Sequence, residues 1–212
     1  MRPFVRSGVK IGFVGWITTA TTSDSSPGPL VKILAYKKEV QRCIDTLHKH
    51  KIKYIVGLGH GGIEDDKFVI TQTAGECLFS SLAATWFPSP NMCLHRGPGL
   101  SMVVGGHSHT FMWPPVSDHN ATKGPPCLDQ TCDMDHIAAV NCPQIAVDAS
   151  GRKVPYFQAL WSGHYMDTIK ATFNKSDGTV DLNTLVAQPM LLGGELSDDF
   201  VPEDPAIRGV IT

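Results

Sequence analysis

The 212-residue chain is 42% hydrophobic and 18% charged, a composition typical of a folded globular domain that excludes intrinsic disorder. Its formal net charge is −2, so the sequence predicts no basic surface of the kind that binds nucleic acid. No run of about eighteen apolar residues occurs, so no membrane-spanning helix is predicted either.

The first half of the chain alternates predicted strands and helices. In chain order we predict a strand over 9–16, a loop over 18–29, an amphipathic helix over 36–50, a strand over 53–58, a helix over 63–76 and a strand over 101–104. The first helix is supported by Val40, Ile44 and Leu47, which recur at helical spacing. Acidic residues at 64–66 suit the positive end of the second helix dipole.

The second half changes to short strands separated by turns. We predict strands over 144–147, 154–160 and 166–173, with turn sequences at 148–151 and 174–178 between them. Strand–helix–strand units followed by hairpins indicate an α/β fold with a mixed sheet, or two stacked sheets with outer helices.

The stretch from Cys77 to Gly97 does not fit this pattern. It contains no Asp, Glu or Lys, and it has neither helical nor strand periodicity. We interpret 77–97 as an anomalous insertion, either lineage-specific or translated from an intron. Sequencing the transcript across this stretch distinguishes the two origins.

The cysteines favour an oxidising compartment. Six occur without a CxxC pair, and Cys127, Cys132 and Cys142 cluster around His136 in a Pro-rich loop. This spacing does not meet that of a zinc knuckle, so a disulfide within an extracellular loop is favoured. Sequons at Asn120 and Asn174 agree with export. The N-terminus lacks the apolar core of a signal peptide, so we expect any export signal to lie outside this chain.

Two glycine-rich runs place histidines directly after predicted strands. They are GLGHGG at 57–62 and VGGHSH at 104–109. Glycines allow tight turns at the edge of a sheet, and imidazoles are common zinc and manganese ligands. We therefore identify His60, His107 and His109 as candidate metal ligands. The alternative, polar loop histidines beside glycine turns, is about equally supported by the residues alone.

Other polar residues favour structural roles. We predict that His164 is a packing or surface residue, and that His48 and His50 lie at a helix end, where the dipole favours cations. The segment 148–152 is typical of a hairpin turn rather than of an acidic site.

Four segments together resemble one enzyme family. Residues 59–67 resemble the GHSGFExDK segment of the 5′-nucleotidase family of metallophosphoesterases, which includes the secreted apyrases of blood-feeding arthropods, and residues 103–111 resemble its VVGGHS(N/H/Q)TF motif. Residues 148–159 are similar to its DxxGRKVPVVQA hairpin, and 201–205 to its Ile-Pro-Glu-Asp-Pro segment. The resemblance covers most of 8–208, without 77–97.

The resemblance implies an incomplete four-layer α/β/β/α metallophosphoesterase sandwich, the C-terminal part of a catalytic domain. It implies that 1–195 is this partial domain, that 196–212 begins an interdomain linker, and that a C-terminal nucleotide-binding domain lies outside the chain. The intact protein is then extracellular, either secreted or held at the cell surface by a GPI anchor outside this chain, with a homodimer as an expected assembly.

The resemblance also implies a centre of two divalent metal ions, with zinc preferred and manganese or magnesium as alternatives. By position, His60 and His107 correspond to metal ligands, and His109 lies where relatives carry Asn, Gln or His. The family's D-x-H motif, its bridging Asp in a G-D segment and its G-N-H-(E/D) motif with the catalytic histidine are not found here. No catalytic residue is therefore assigned, and we expect the chain to be inactive alone.

The function implied is hydrolysis of nucleoside 5′-monophosphates to nucleoside and phosphate, with a small nucleotide as substrate and no nucleic-acid partner. One alternative is an apyrase that removes phosphate from ATP and ADP. Another is a non-catalytic protein of the same fold that binds nucleotides or a host factor. A third is an incomplete gene model without an independent product.

Overall fold

The structure is a computed structural model of the chain. It describes residues 4–6, 8–74, 76–78, 94–96, 99–113, 139–141, 143–160, 163 and 165–192. None of the helices within these ranges combines the length and the hydrophobicity that a membrane-spanning segment needs. Several residues that the sequence singles out lie outside the described ranges: Asn120, Cys127, Cys132, His136, Cys142 and His164.

Twelve strands and three helices make up the described part of the chain. The strands are β1 (Phe4–Arg6), β2 (Val9–Ile17), β3 (Tyr54–His60), β4 (Glu76–Leu78), β5 (Leu94–Arg96), β6 (Met102–Val104), β7 (Phe111–Trp113), β8 (Ala139–Asn141), β9 (Gln144–Val147), β10 (Lys153–Phe157), β11 (Tyr165–Lys170) and β12 (Val186–Leu191). The helices are α1 (Thr21–Asp24), α2 (Tyr36–Lys49) and α3 (Ile63–Gln72).

A six-stranded mixed sheet forms the centre of the fold, in the order β1-β2-β3-β6-β10-β9. The four inner strands run parallel, and β1 and β9 close the two edges as antiparallel strands. In this register Ile17 lies beside His60, and Leu58 lies beside Val104. The carboxyl ends of β3 and β6 therefore meet at one edge of the sheet, where the two histidine-bearing turns begin.

Helix α2 covers one face of the sheet through the predicted apolar stripe. Val40, Ile44 and Leu47 are all buried there. The helix approaches the sheet closely over Gly12, where an added Cβ would lie 2.8 Å from a Leu47 methyl carbon. Burial of such a stripe stabilises a helix more than its intrinsic propensity does.

The opposite face of the sheet is only partly covered. Phe173, which follows β11, packs edge-on against Tyr54 with ring centroids 5.4 Å apart. Farther along β2 and β3, the side chains of Phe13, Ile17 and Leu58 remain 47%, 39% and 46% exposed. This half-open apolar face agrees with an incomplete layered domain.

Most of the predicted elements are confirmed, with shifted ends. Strand β2 extends the predicted strand by one residue, and β3 continues to His60, so this histidine ends a strand instead of lying on the turn. Helix α3 stops at Gln72 because the next residues find partners elsewhere: Ala74 donates its backbone N–H to Gln41 at 2.9 Å, and the Thr73 carbonyl accepts from Ala149 at 3.0 Å.

Some elements were not predicted. Helix α1 occupies part of the predicted loop 18–29, and β1 and β12 had no sequence prediction. The stretch 77–97 has no strand periodicity, yet strands form at its ends, where β4 and β5 pair antiparallel with Glu76 opposite Arg96. Pairing between the two ends supplies the backbone hydrogen bonds that periodicity within one short segment does not reveal.

Asp167 provides a test of the packing between β11 and the rest of the fold. Its carboxylate is half-buried, and its Oδ1 atom has no hydrogen-bond partner within the described residues. Burial raises the pKa of Asp167 to about 6. The folded chain therefore holds a proton more tightly than the unfolded chain, whose aspartate pKa is about 3.9.

We predict that Asp167→Asn stabilises the chain at neutral pH. The stability that protonated Asp167 contributes is complete below about pH 4 and is lost as the pH rises through about 6. At pH 7.5 the free energy of unfolding of the variant should therefore exceed that of the unsubstituted chain by about 1 kcal/mol, a value reduced for partial solvation of the carboxylate. Urea denaturation at pH 4.5, 6 and 7.5 measures the difference, with exposed Asp24→Asn as control. Parallel pH profiles for Asp167→Asn and the unsubstituted chain would contradict it.

Candidate functional site

His60 and His107 lie close together at the edge of the central sheet. His60 is the last residue of β3, and His107 lies three residues after β6, the adjacent parallel strand. The two ring centroids are 5.3 Å apart at an interplanar angle of 61°. Both side chains are exposed to solvent. The structure therefore brings together the two imidazoles that the sequence motifs singled out.

The turn that carries His107 and His109 is strained. The φ angles of these residues are 79° and 53°, in the left-handed region that residues other than glycine rarely adopt. Such backbone strain clusters at functional sites and persists only where surrounding contacts hold it. Within the described part of the chain, no three His, Cys, Asp or Glu side chains form a group that could hold a metal. The metal-binding roles of His60, His107 and His109 stay predictions.

Close approach, rather than unusual torsion, explains two glycines of the motifs. A Cβ at Gly106 would lie 2.8 Å from Nδ1 of His60, and a Cβ at Gly59 would lie 2.7 Å from the carboxylate atoms of Asp66. Real Cβ contacts are longer than this. Glycine at 106 therefore leaves room for the His60 ring, and glycine at 59 leaves room for the Asp66 carboxylate.

A buried carboxylate lies beneath the two turns. Asp66, on the first turn of α3, is fully buried and accepts three hydrogen bonds. The donors are Nε1 of Trp16 at 2.7 Å, the backbone N–H of Gly61 at 3.1 Å and the hydroxyl of Tyr156 at 3.2 Å. We call these four residues the Asp66 network. It joins β2, β10, α3 and the turn after His60.

Two opposing effects act on the Asp66 carboxyl. Burial raises its pKa, while the hydrogen bonds from Trp16, Gly61 and Tyr156 and the interaction with the backbone of Gly106 lower it, and burial has the larger effect. The backbone groups of Gly61 and Gly106 belong to the turns after β3 and β6 respectively. One carboxyl therefore interacts with both histidine-bearing turns.

Sequence reasoning missed this role of Asp66. It assigned all acidic residues at 64–66 to the helix dipole, whereas the structure buries Asp66 on the same side of α3 as Val69 and Ile70. The available signal was spacing: Asp66 lies three and four positions before these two apolar residues, on the core face. Asp65 instead accepts a 2.7 Å hydrogen bond from the Tyr36 hydroxyl, which links α3 to α2.

A second buried polar group, Gln158, holds the turn after β6. Its Oε1 atom accepts the hydroxyl of Ser108 at 3.0 Å and the backbone N–H of Thr110 at 3.1 Å. The Ser108 hydroxyl oxygen also accepts the backbone N–H of Ile63 at 3.1 Å. These bonds connect β10 with both histidine-bearing turns.

The remaining polar candidates behave as predicted where the structure describes them. His48 lies in the last turn of α2, and His50 caps the end of that helix. Asp148 forms a hairpin turn in which its Oδ1 accepts the backbone N–H groups of Ser150 and Arg152, each at 2.9 Å. This segment is therefore a turn and not an exposed acidic site.

Comparison with solved structures defines the class of fold. The chain is similar to a 5′-nucleotidase precursor from Thermus thermophilus, with a TM-score of 0.62 at 22% identity over 90% of this chain and 29% of that one. The described structure therefore has an α/β fold like that of part of this 5′-nucleotidase precursor, which confirms the predicted α/β class. No protein-family model matches the chain.

Sequence comparison points to particular relatives. The chain is 26% identical over 203 residues to snake venom 5′-nucleotidase from Naja atra. This alignment covers 96% of the chain and 30% of the relative. It is 27% identical over 201 residues to 5′-nucleotidase from Bos taurus, covering 95% and 27%. These matches confirm the resemblance to 5′-nucleotidases. The chain spans less than a third of the length of either relative.

We predict that Asp66→Ala destabilises the chain by about 3 kcal/mol, because it leaves the buried donors of Trp16 and Tyr156 without an acceptor. Asp66→Asn keeps an acceptor for Trp16 and removes a carboxyl that burial disfavours as an anion, so it should cost about 1 kcal/mol or less. Urea denaturation followed by tryptophan fluorescence measures both changes. Equal losses in the two variants would show that the hydrogen bonds do not matter.

Proposed function

We propose that this chain is part of an enzyme that hydrolyses nucleoside 5′-monophosphates to nucleoside and phosphate with the help of two divalent metal ions. The observation that carries the proposal is the pairing of His60 with His107 at the ends of adjacent parallel strands. The names of the relatives supply the reaction, because both sequence relatives are 5′-nucleotidases.

The separation of the two rings suits a shared ion. Imidazoles bound through nitrogen at about 2.1 Å to one tetrahedral ion have ring centres roughly 5 Å apart. The observed distance is 5.3 Å, and both rings are exposed at the sheet edge. Neutral imidazole is a ligand that zinc and manganese accept well. His60 and His107 would therefore hold one ion, and His109 is a candidate ligand of the second.

When bound, such ions lower the pKa of a coordinated water and offset the negative charge of the phosphate. The chain's own residues have a different task. The Asp66 network fixes the turns from below, so the imidazoles need little rearrangement to meet a cation. Exposure of both rings leaves the site open to a phosphate group.

The wider organisation of the protein is also a proposal. We assign residues 1–195 to a partial catalytic domain with an insertion at 77–97, and residues 196–212 to the start of an interdomain linker. An extracellular location, secreted or anchored at the cell surface, is supported by the venom relative and by Asn174, whose sequon lies on an exposed turn. The Oδ1 atom of Asn174 accepts the Ser176 hydroxyl at 2.8 Å.

We predict that the chain binds one zinc ion through His60 and His107. Either His60→Ala or His107→Ala should weaken zinc binding at least tenfold, because each removes one of the paired ligands. Calorimetric titration with zinc at pH 7.5 measures the affinity, and cobalt absorption reports the ligand set. The control is His50→Ala, an exposed histidine at the end of α2. Equal zinc affinity in all four proteins would refute the site.

We predict that the 212-residue chain alone releases no phosphate from AMP with zinc present, because a two-ion centre needs bridging carboxylates that its motifs do not supply. A protein that joins this chain to the remaining length of its relatives should release phosphate, and His107→Ala should lower that rate at least a hundredfold. A phosphate-release assay with AMP, ADP and ATP measures both and separates the apyrase alternative. Clear AMP turnover by the chain alone would contradict the first prediction.

A further inference from the structure

Gln158 is a buried amide whose oxygen accepts hydrogen bonds and whose nitrogen has no partner among the residues that the structure describes. The residue is 1% exposed and follows the last residue of β10. Its Oε1 atom accepts two hydrogen bonds, from Ser108 and from the backbone of Thr110. A backbone N–H can only donate, so the Thr110 bond fixes which end of the amide faces the turn.

The other end of the amide shows that packing alone does not explain a glutamine here. The Nε2 atom is buried and has no hydrogen-bond partner within the described residues. An unpaired buried amide nitrogen costs about 1–3 kcal/mol, which a leucine of similar size would avoid. The glutamine is therefore accounted for by what its oxygen does for the turn.

The bonds of Gln158 enclose the strained residues. Ser108 lies between His107 and His109, whose φ angles are 79° and 53°, and Thr110 follows them. Ser108 also accepts the backbone N–H of Ile63, at the start of α3 just after the His60 turn. The amide oxygen thus restrains one histidine-bearing turn directly and contacts the other through one hydroxyl.

We propose that Gln158 is a positioning residue: its amide oxygen holds the 107–110 turn in its left-handed conformation and so keeps the His107 ring facing His60. The expected effect on metal binding rests on the proposed function, because it requires His60 and His107 to be metal ligands. Groups that orient metal ligands from behind change metal affinity about 10- to 100-fold when they are removed.

The test uses two variants and a matched control in the full chain. Gln158→Leu removes both acceptor bonds with little change in volume, and Gln158→Glu restores an acceptor oxygen. The control, Gln41→Leu, breaks a comparable amide that donates to the Ala74 carbonyl at 3.1 Å and accepts the Ala74 N–H at 2.9 Å, away from the histidines. We expect Gln41→Leu to lower stability without changing the turn.

Two measurements are made on each protein. Zinc titration should show about tenfold weaker binding for Gln158→Leu, near-normal binding for Gln158→Glu and unchanged binding for Gln41→Leu. Amide hydrogen exchange without metal should show faster exchange at Thr110 in Gln158→Leu, but not in Gln41→Leu, because the Thr110 N–H loses its acceptor.

The outcomes separate this inference from the proposed function. Normal zinc affinity and normal Thr110 exchange in Gln158→Leu would overturn the positioning role, even if the two histidines bind zinc. Unchanged zinc affinity in His60→Ala and His107→Ala would overturn the metal centre. Faster exchange of the Thr110 amide in Gln158→Leu alone would still support Gln158 as the residue that holds the turn. Equal loss of zinc affinity in Gln41→Leu would show that Gln158 affects zinc binding only through the general stability of the fold.

Discussion

The arrangement of the site depends on the hydrogen bonds that the buried carboxyl of Asp66 accepts. It accepts hydrogen bonds from Trp16 on β2, Tyr156 on β10 and the backbone of Gly61, and it interacts with the backbone of Gly106. An acidic group without water around it is costly unless donors surround it, so the folded state loses stability when these partners separate. That requirement fixes both histidine-bearing turns relative to the sheet.

The histidines themselves add little to this stability, because their rings are exposed above the network. The site therefore has two parts: a buried polar base, which includes Asp66 and Gln158, and a solvent-facing pair, His60 and His107. Strained torsions at His107 and His109 are tolerated because the base holds the turn. A rigid base under exposed imidazoles is the arrangement that the proposed metal site requires.

Much of this could be predicted from the amino-acid order. The strand over 9–16 and the helix over 36–50 both form as predicted, although Phe13 on the strand stays 47% exposed. The sequence predicts His60 and His107 directly after strands, and the structure places the two ring centroids 5.3 Å apart. The structural roles of Asp66 and Gln158 could not be predicted, because a buried polar residue is recognised by its hydrogen-bond partners. The partners of Asp66 lie 50 and 90 positions away in the chain, and those of Gln158 lie 50 and 48 positions away.

The sequence by itself determined the α/β class, the central strands and the segments that carry the histidines, since these depend on local periodicity and on glycine, whose effects act within a few residues. Only the tertiary structure decided the pairing of β4 with β5, the edge strand β1, the depth of Asp66 and the orientation of the Gln158 amide. Those features depend on hydrogen bonds and contacts between residues far apart in the chain, and no local pattern specifies which distant group will satisfy a buried donor or acceptor.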